Sequence, residues 1–336
     1  MRMRWLGKTG LQVSELCLGT ATFGGLGHFK VSGEVSQEEA NGIVRAALDA
    51  GINLFNTAEL YSEGLAEEIL GNALGSTRKN AIVISKVAHV APVPGLNTGG
   101  HSRKHIVEAC EASLRRLRTD YIDIYELHGM DPNTPLEITL RALDDLVRQG
   151  KVRYIGCSNF TAWMLMKAMG ISDKNGWEKF LTLEAMYSLA DRALEQELIP
   201  ACVDQGIAVL SYSPLHAGLL SGKYRRNQPW PAGTRIQSAE EPQWPFEPDQ
   251  IFNIVDVLDE IARERNVAVP QVALNYVLKK PCVCSLIIGT RKISQLAENL
   301  KAMEWQMTAE ETERLDKVSE PRRLYRSAFY WRRSIP

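Results

Sequence analysis

The feature that most restricts this chain is a rhythm. Eight times, a short apolar run ends in polar or titratable residues and is followed by helical text. The runs lie at 15–20, within 53–61, and at 81–86, 121–127, 152–157, 180–183, 207–211 and 285–288. Near-continuous apolar runs separated by helices specify a parallel sheet covered on its faces. Eight such units in 336 residues predict an α/β fold closed into a (β/α)8 TIM barrel. A doubly wound open sheet is the alternative. It would carry a GxGxxG turn after its first strand, which Gly19-Thr20-Ala21-Thr22-Phe23-Gly24-Gly25 does not supply.

Apolar spacing predicts helices at 36–50 and 63–74, from an N-cap at Ser102, and at 134–150, 161–169 and 193–205. Further helices are predicted at 249–265, 269–279, 294–301 and 308–318. Thr134-Pro135-Leu136-Glu137 reads as a capping box with proline at the first helical position. A small hairpin with strands at 5–6 and 11–13, turning on Gly7-Lys8-Thr9-Gly10, precedes the barrel. The expectation is one domain over 1–336, with the hairpin in 1–13, a long loop at 215–248 and a basic, aromatic tail at 321–336.

The formal net charge of −1 provides no field for nucleic acid or a membrane surface. No apolar run reaches transmembrane length, and the first residues lack a signal-peptide core, so a cytoplasmic protein is expected. The six cysteines are scattered, and Cys282-Val283-Cys284 has no second pair to complete a zinc site. They are expected as buried, reduced thiols.

In such barrels chemistry sits at the C-terminal ends of the strands. Those ends carry Thr20, Asn56 with Tyr61, Lys86, His128, Ser158-Asn159, Glu184, Tyr212-Ser213 and Gly289-Thr290-Arg291. Singly, each has a structural reading: a half-buried tyrosine, a core histidine, a solvated arginine beside a helix. A lysine at a strand end is harder to explain, because a buried ammonium is costly unless paired. Beside a tyrosine it would favour the phenolate, lower the tyrosine pKa and make that hydroxyl a proton donor or acceptor. A metal site fits less well, since one His, one Lys and no strand-end Asp make a poor ligand set.

These residues and their surroundings resemble the aldo-keto reductases. Tyr61-Ser62-Glu63-Gly64 with Glu67 and Leu70-Gly71, Gly156-Cys157-Ser158-Asn159-Phe160, and Tyr212-Ser213-Pro214-Leu215 followed by 218–224 carry the resemblance. So does Ile288-Gly289-Thr290-Arg291 with Gln295, Glu298 and Asn299. It covers the chain from Leu6 to about Asp316 and leaves the tail uncovered. The resemblance implies NADPH (with NADH as a lesser option) lying extended across the barrel mouth, and a small-molecule carbonyl or alcohol as substrate. It implies Tyr61 as proton donor, tuned by Lys86, with His128 orienting the carbonyl. It places Ser158 and Asn159 on the nicotinamide carboxamide and Tyr212 on its ring. Ser213, Leu215, Gly218 and Lys223 fall at the pyrophosphate, Arg291 at the 2′-phosphate, and Gln295, Glu298 and Asn299 at the adenosine. Thr20, Glu184, Gly289 and Thr290 complete the cofactor-binding set, and 215–248 would fold over it.

Two positions depart from the family pattern. Asn56 stands where the family has Asp, and Glu184 where Gln is common. Asn56 can accept a hydrogen bond from Lys86 but cannot balance its charge, so one negative charge is expected to leave Lys86 and appear on Glu184, nearer the nicotinamide. Three readings stay open: a working reductase with a retuned site, a chain altered at one residue, and a cofactor-binding regulatory or sensing subunit with weak turnover. The substrate pocket is expected from Phe23, Trp163, the loop 88–101 with His89 and Pro92, and the tail. Monomer and homo-oligomer are equally compatible with the sequence.

Overall fold

Eight parallel strands close on themselves in the computed structural model, which describes residues 1–88, 90, 95–232, 234, 236 and 247–321. They are β3 (Leu16–Gly19), β4 (Leu54–Asn56), β5 (Ile82–Val87), β6 (Ile122–Leu127), β7 (Val152–Ser158), β8 (Phe180–Met186), β9 (Ala208–Tyr212) and β10 (Val283–Gly289). Each pairs with the next, and β10 returns to β3. The helices are α1 (Gln37–Asp49), α2 (Leu65–Leu74), α3 (Arg103–Leu117), α4 (Leu136–Arg148), α5 (Ala162–Asn175) and α6 (Leu198–Gln205), then α7 (Pro248–Arg265), α8 (Val269–Leu278), α9 (Ile293–Leu300) and α10 (Ala309–Val318). The chain is a (β/α)8 TIM barrel, as its rhythm predicts.

Side chains alternate across each strand. One set, including Leu16, Leu18, Phe55 and Val83, packs outward against the helices. The other, Cys17, Leu54, Ile84, Ile124, Ala208 and Leu210, fills the barrel from within. A hairpin, β1 (Met3–Trp5) with β2 (Gln12–Ser14), closes the floor by adding Leu6 and Val13 to this inner cluster. Its turn lies flush against the barrel: a Cβ on Gly7 would sit 2.7 Å from the Gly206 carbonyl. That inward use of Leu6 explains why β1 ends at Trp5, one residue before the expected strand does.

Two residues along from Leu54, Ile84 and Ile124, at the next inner position, stand Asn56, Lys86 and Glu126, all buried. Glu184 of β8 lies two beyond buried Thr182. The inner face therefore changes from an apolar floor to a polar layer just below the mouth.

Local expectations fared unevenly. Ser102 caps α3 by accepting from the His105 amide at 3.2 Å. No capping box forms at α4, because the Thr134 hydroxyl is turned to Asp131 at 2.6 Å. Complete boxes occur instead at Ser36/Glu39 of α1 and Thr308/Glu311 of α10. The helix expected over 193–205 splits into a 3-10 turn at Ala193–Glu195 and α6. Pro200, which cannot donate an amide, falls in the first turn of α6, where none is required. All six cysteines are free, and all but Cys282 are buried. Among the described residues no helix is long and apolar enough to cross a membrane.

Candidate active site

After β4 the chain makes a 3-10 turn, Tyr61–Gly64, in which Ser62 and Glu63 take left-handed backbone angles (φ 50° and 58°) before Gly64. Such angles are costly for residues with a Cβ and persist where surroundings enforce them. Here Ser62 enforces them: its hydroxyl donates to the Phe23 carbonyl at 2.7 Å and accepts the Leu26 amide at 3.3 Å. The turn holds the Tyr61 ring between Phe29 (centroids 4.8 Å apart) and His128 (5.6 Å).

Lys86 is fully buried beneath it. Its ammonium donates to Asn56 Oδ1 at 2.8 Å, to the Thr57 carbonyl at 3.0 Å and to the Tyr61 hydroxyl at 3.4 Å. It also forms an ion pair with Glu184 Oε2 at 3.2 Å. Asn56 Nδ2 donates to that same Glu184 oxygen at 2.6 Å. This corrects the expectation that the charge missing at Asn56 would be displaced toward the nicotinamide. Glu184 returns it to Lys86 from across the barrel. Burial opposes the lysine's charge, but Glu184, with smaller help from Tyr61 and Glu126, holds the ammonium above its ordinary pKa. The expected lowering of the Tyr61 pKa is also corrected. Burial raises it, Lys86 only partly offsets this, and Glu184 and Glu126 raise it further.

These groups open into a cleft of about 720 Å³. Asn56, Tyr61, His128, Ser158, Asn159, Glu184, Tyr212, Ser213, Leu215, Gly218, Lys223, Gly289, Arg291, Gln295, Glu298 and Asn299 all lie on its wall. Lys86 lies behind the wall, and Thr20 and Thr290 are buried and absent from it. Asn159 is already oriented: its amide donates to the His128 carbonyl at 3.1 Å, and its Oδ1 accepts the Tyr212 hydroxyl at 2.8 Å. Past β9 the backbone of His216, Ala217 and Gly218 runs through consecutive left-handed angles, and a Cβ on Gly218 would meet Lys223 Nζ at 3.1 Å. Burial and the nearby Arg291 guanidinium both push Lys223 below its ordinary pKa. Two cations gathered in one groove form a site suited to phosphate oxygens. Arg291 also makes contacts that sequence reasoning missed: its Nε donates to the Ser32 carbonyl at 2.8 Å and Nη2 to the Val31 carbonyl at 3.1 Å.

The substrate side differs from expectation. Phe23 is wholly buried in the core, and Trp163, 59% exposed, is absent from the cleft wall. His28 and Phe29, in a 3-10 helix (Gly27–Val31) after β3, line it instead. Their stretch of sequence has no periodicity, which gave no signal. His89, Pro92 and the tail from 322 onward lie outside the described residues, as do 233, 235 and 237–246 of the expected cofactor-covering loop. Glu126 was missed although a pattern marks it: it follows Ile124 by two and must face inward. Among the described residues no group of three or more His, Cys, Asp or Glu is placed to hold a metal ion.

Next to Tyr61, buried Glu59 accepts the Ala88 amide at 2.7 Å and lies 3.6 Å from His105 Nε2. Burial pushes its carboxyl up to about 7, against the Ala88 bond. A carboxyl raised on folding contributes full stability below its unfolded value and loses it as pH rises through the folded one, here up to on the order of 3 kcal/mol. Glu59→Gln keeps an acceptor for Ala88 and cannot ionise. Thermal unfolding at pH 5 and pH 8.5 should therefore show a smaller drop in the variant than in the parent chain; an equal drop would remove Glu59 as the cause.

A family model described as the aldo/keto reductase family matches residues 15–320. The chain is 36% identical over 315 residues to an uncharacterized oxidoreductase, YrpG, of Bacillus subtilis, spanning 90% of this chain and 91% of that one. It is 31% identical to the versiconal hemiacetal acetate reductase of Aspergillus parasiticus (95% and 97% covered). It is 34% identical to a probable voltage-gated potassium channel subunit beta of Arabidopsis thaliana (90% and 92%). With its barrel and strand-end constellation already in view, the chain belongs to the aldo/keto reductase family.

Proposed function

We propose that this chain is an NADPH-dependent reductase that interconverts an aldehyde or ketone and its alcohol. The observation that carries this is a tyrosine hydroxyl, a buried lysine with its counter-charge and a histidine converging on one end of a cleft whose wall also holds Lys223 and Arg291. The cleft fits a dinucleotide: cations for phosphate, a glycine cradle at Gly218 and an oriented carboxamide on Asn159. When bound, NADPH supplies the hydride.

The protein's part is proton delivery and positioning. Because its pKa is raised, Tyr61 stays protonated through the neutral range, the state that donates to a carbonyl oxygen. His128 would orient that oxygen beside the tyrosine. Once the proton has left, the phenolate would face the Lys86 ammonium, while Asn56 and Glu184 keep the lysine charged and in place. Ser158, Asn159 and Tyr212 would hold the nicotinamide, with Ser213, Leu215, Gly218 and Lys223 along the pyrophosphate. Arg291 would reach the 2′-phosphate, with Gln295, Glu298 and Asn299 at the adenosine.

The test is oxidation of NADPH and of NADH across a panel of aldehydes and ketones, with the reverse reaction on alcohols. Turnover with NADPH supports the proposal. Tight NADPH binding without turnover of any carbonyl favours the second reading, a regulatory subunit, which the likeness to a protein named as a channel beta subunit supports. Arg291→Leu should weaken NADPH about 10- to 100-fold, the worth of a charge-assisted bond, and NADH far less. Equal weakening of both would mean that Arg291 acts only by holding the Val31–Ser32 segment.

A further inference from the structure

Behind the Lys86–Glu184 pair lies a second carboxyl that the proposed mechanism does not use. Glu126 is wholly buried on the inner face of β6, in direct register with Lys86 on β5. Its Oε1 accepts the Thr182 hydroxyl at 2.7 Å. Among the described residues its Oε2 accepts from no donor, and Glu184 stands two residues beyond Thr182 on the same strand, β8. Strand β7 makes room for this arrangement. A Cβ on Gly156 would fall 2.0 Å from Thr182 Oγ1 and 2.9 Å from Glu126 Oε1.

The charged and titratable groups within reach of Glu126 are Glu184 on β8, Lys86 on β5, Tyr61 after β4, and the thiols of Cys17 and Cys157. Burial keeps both thiols well above their ordinary range, so they contribute no charge. Two carboxyls therefore face a single ammonium in a buried layer, where adjacent carboxylates cannot both stay ionised. Glu184 Oε2 takes the ammonium and the Asn56 amide, which is how an ionised carboxylate is satisfied. The proton belongs on the other carboxyl, where it also gives the idle Oε2 a use.

We propose that Glu126 is held as a neutral carboxylic acid that donates its proton to Glu184, and that it is thereby a positioning residue that keeps Glu184 opposite Lys86. The layer then carries one positive and one negative charge, and the Glu184 carboxylate is held from both sides. Burial, and after it repulsion from Glu184, pushes Glu126 far above the usual carboxylate range, in agreement with the geometry. The protonation state stands apart from the reductase reading. What Glu126 does for turnover rests on that reading.

The experiment has two arms, both on the full chain. In the first, infrared difference spectra at pH 7 compare the parent with Glu126→Gln. The carbonyl stretch of a protonated carboxyl should be present in the parent and lost in the variant; its absence from the parent overturns the proposal whether or not any carbonyl is turned over. The second arm compares Glu126→Gln with Glu126→Leu. The amide keeps a neutral donor for Glu184 and an acceptor for Thr182, so kcat should stay within about threefold and the pH profile unchanged. The leucine keeps neither and should lower kcat about tenfold, the worth of one charge-assisted bond, with the Kd for NADPH unchanged. A leucine variant with the parent's kcat and pH profile, or an amide variant as impaired as the leucine, overturns the positioning role. No carbonyl turnover in any variant would sink the reductase reading, and the infrared band would still decide the state of Glu126.

Discussion

Tyr61→Phe should lower kcat by about 10²- to 10⁴-fold, the range attributed to a positioned general acid, while NADPH binding and thermal stability change little. The ring itself is held by packing, against Phe29 and His128, and phenylalanine keeps that packing. Only the hydroxyl is lost, with its long 3.4 Å contact to Lys86. The loss should therefore fall on kcat and not on the cofactor Kd. Binding by fluorescence titration and turnover by NADPH oxidation separate the two. Normal turnover in this variant would place the acid elsewhere and undo the assignment of Tyr61.

Glu184→Gln should strongly damage the layer below. It leaves the Lys86 ammonium buried among neutral acceptors: Asn56 Oδ1, the Thr57 carbonyl and the new amide. Removing one partner of a buried pair costs about 3–5 kcal/mol. The lower end is expected here, because Glu126 can ionise once Glu184 no longer repels it. Lys86 should then lose part of its charge near neutral pH, and kcat should fall about 30-fold, by roughly 2 kcal/mol in barrier. Denaturant unfolding gives the stability change, and the pH dependence of kcat gives the state of the lysine.

Much of this was legible before any fold was drawn. The barrel followed from eight apolar runs because parallel strands covered on both faces have no other composition. The convergence of Tyr61, Lys86 and His128 at one end of the barrel followed because strand ends face the mouth. The pairing of Glu184 with Lys86 did not follow. It depends on which inner positions meet across a closed ring: β4 and β8 stand opposite each other, and Asn56 touches Glu184 from 128 residues away in sequence. Local patterning cannot report such a contact. The direction of the Tyr61 shift was misjudged for the same reason. Lysine was weighed alone, whereas burial and two carboxyls act against it. Phe29 was missed and Phe23 preferred because nothing in an aperiodic stretch says which of its aromatics turns inward.

Asn56 and Glu184 together do for Lys86 what one carboxylate beside it would, with acceptor and donor exchanged across the barrel. The direct measurement is kcat/KM for Asn56→Asp, Glu184→Gln and the double variant. Asn56→Asp alone replaces the donor 2.6 Å from Glu184 Oε2 with a second carboxylate oxygen, and should cost about 30-fold, as Glu184→Gln does. In the double variant the carboxylate at 56 takes the ammonium and the amide at 184 donates to it, so one charge and both hydrogen bonds return. Independent sites would give about a 1,000-fold loss. The double variant should instead fall within about tenfold of the parent, a coupling of roughly 2.7 kcal/mol. A double variant as poor as the product of its singles would contradict it.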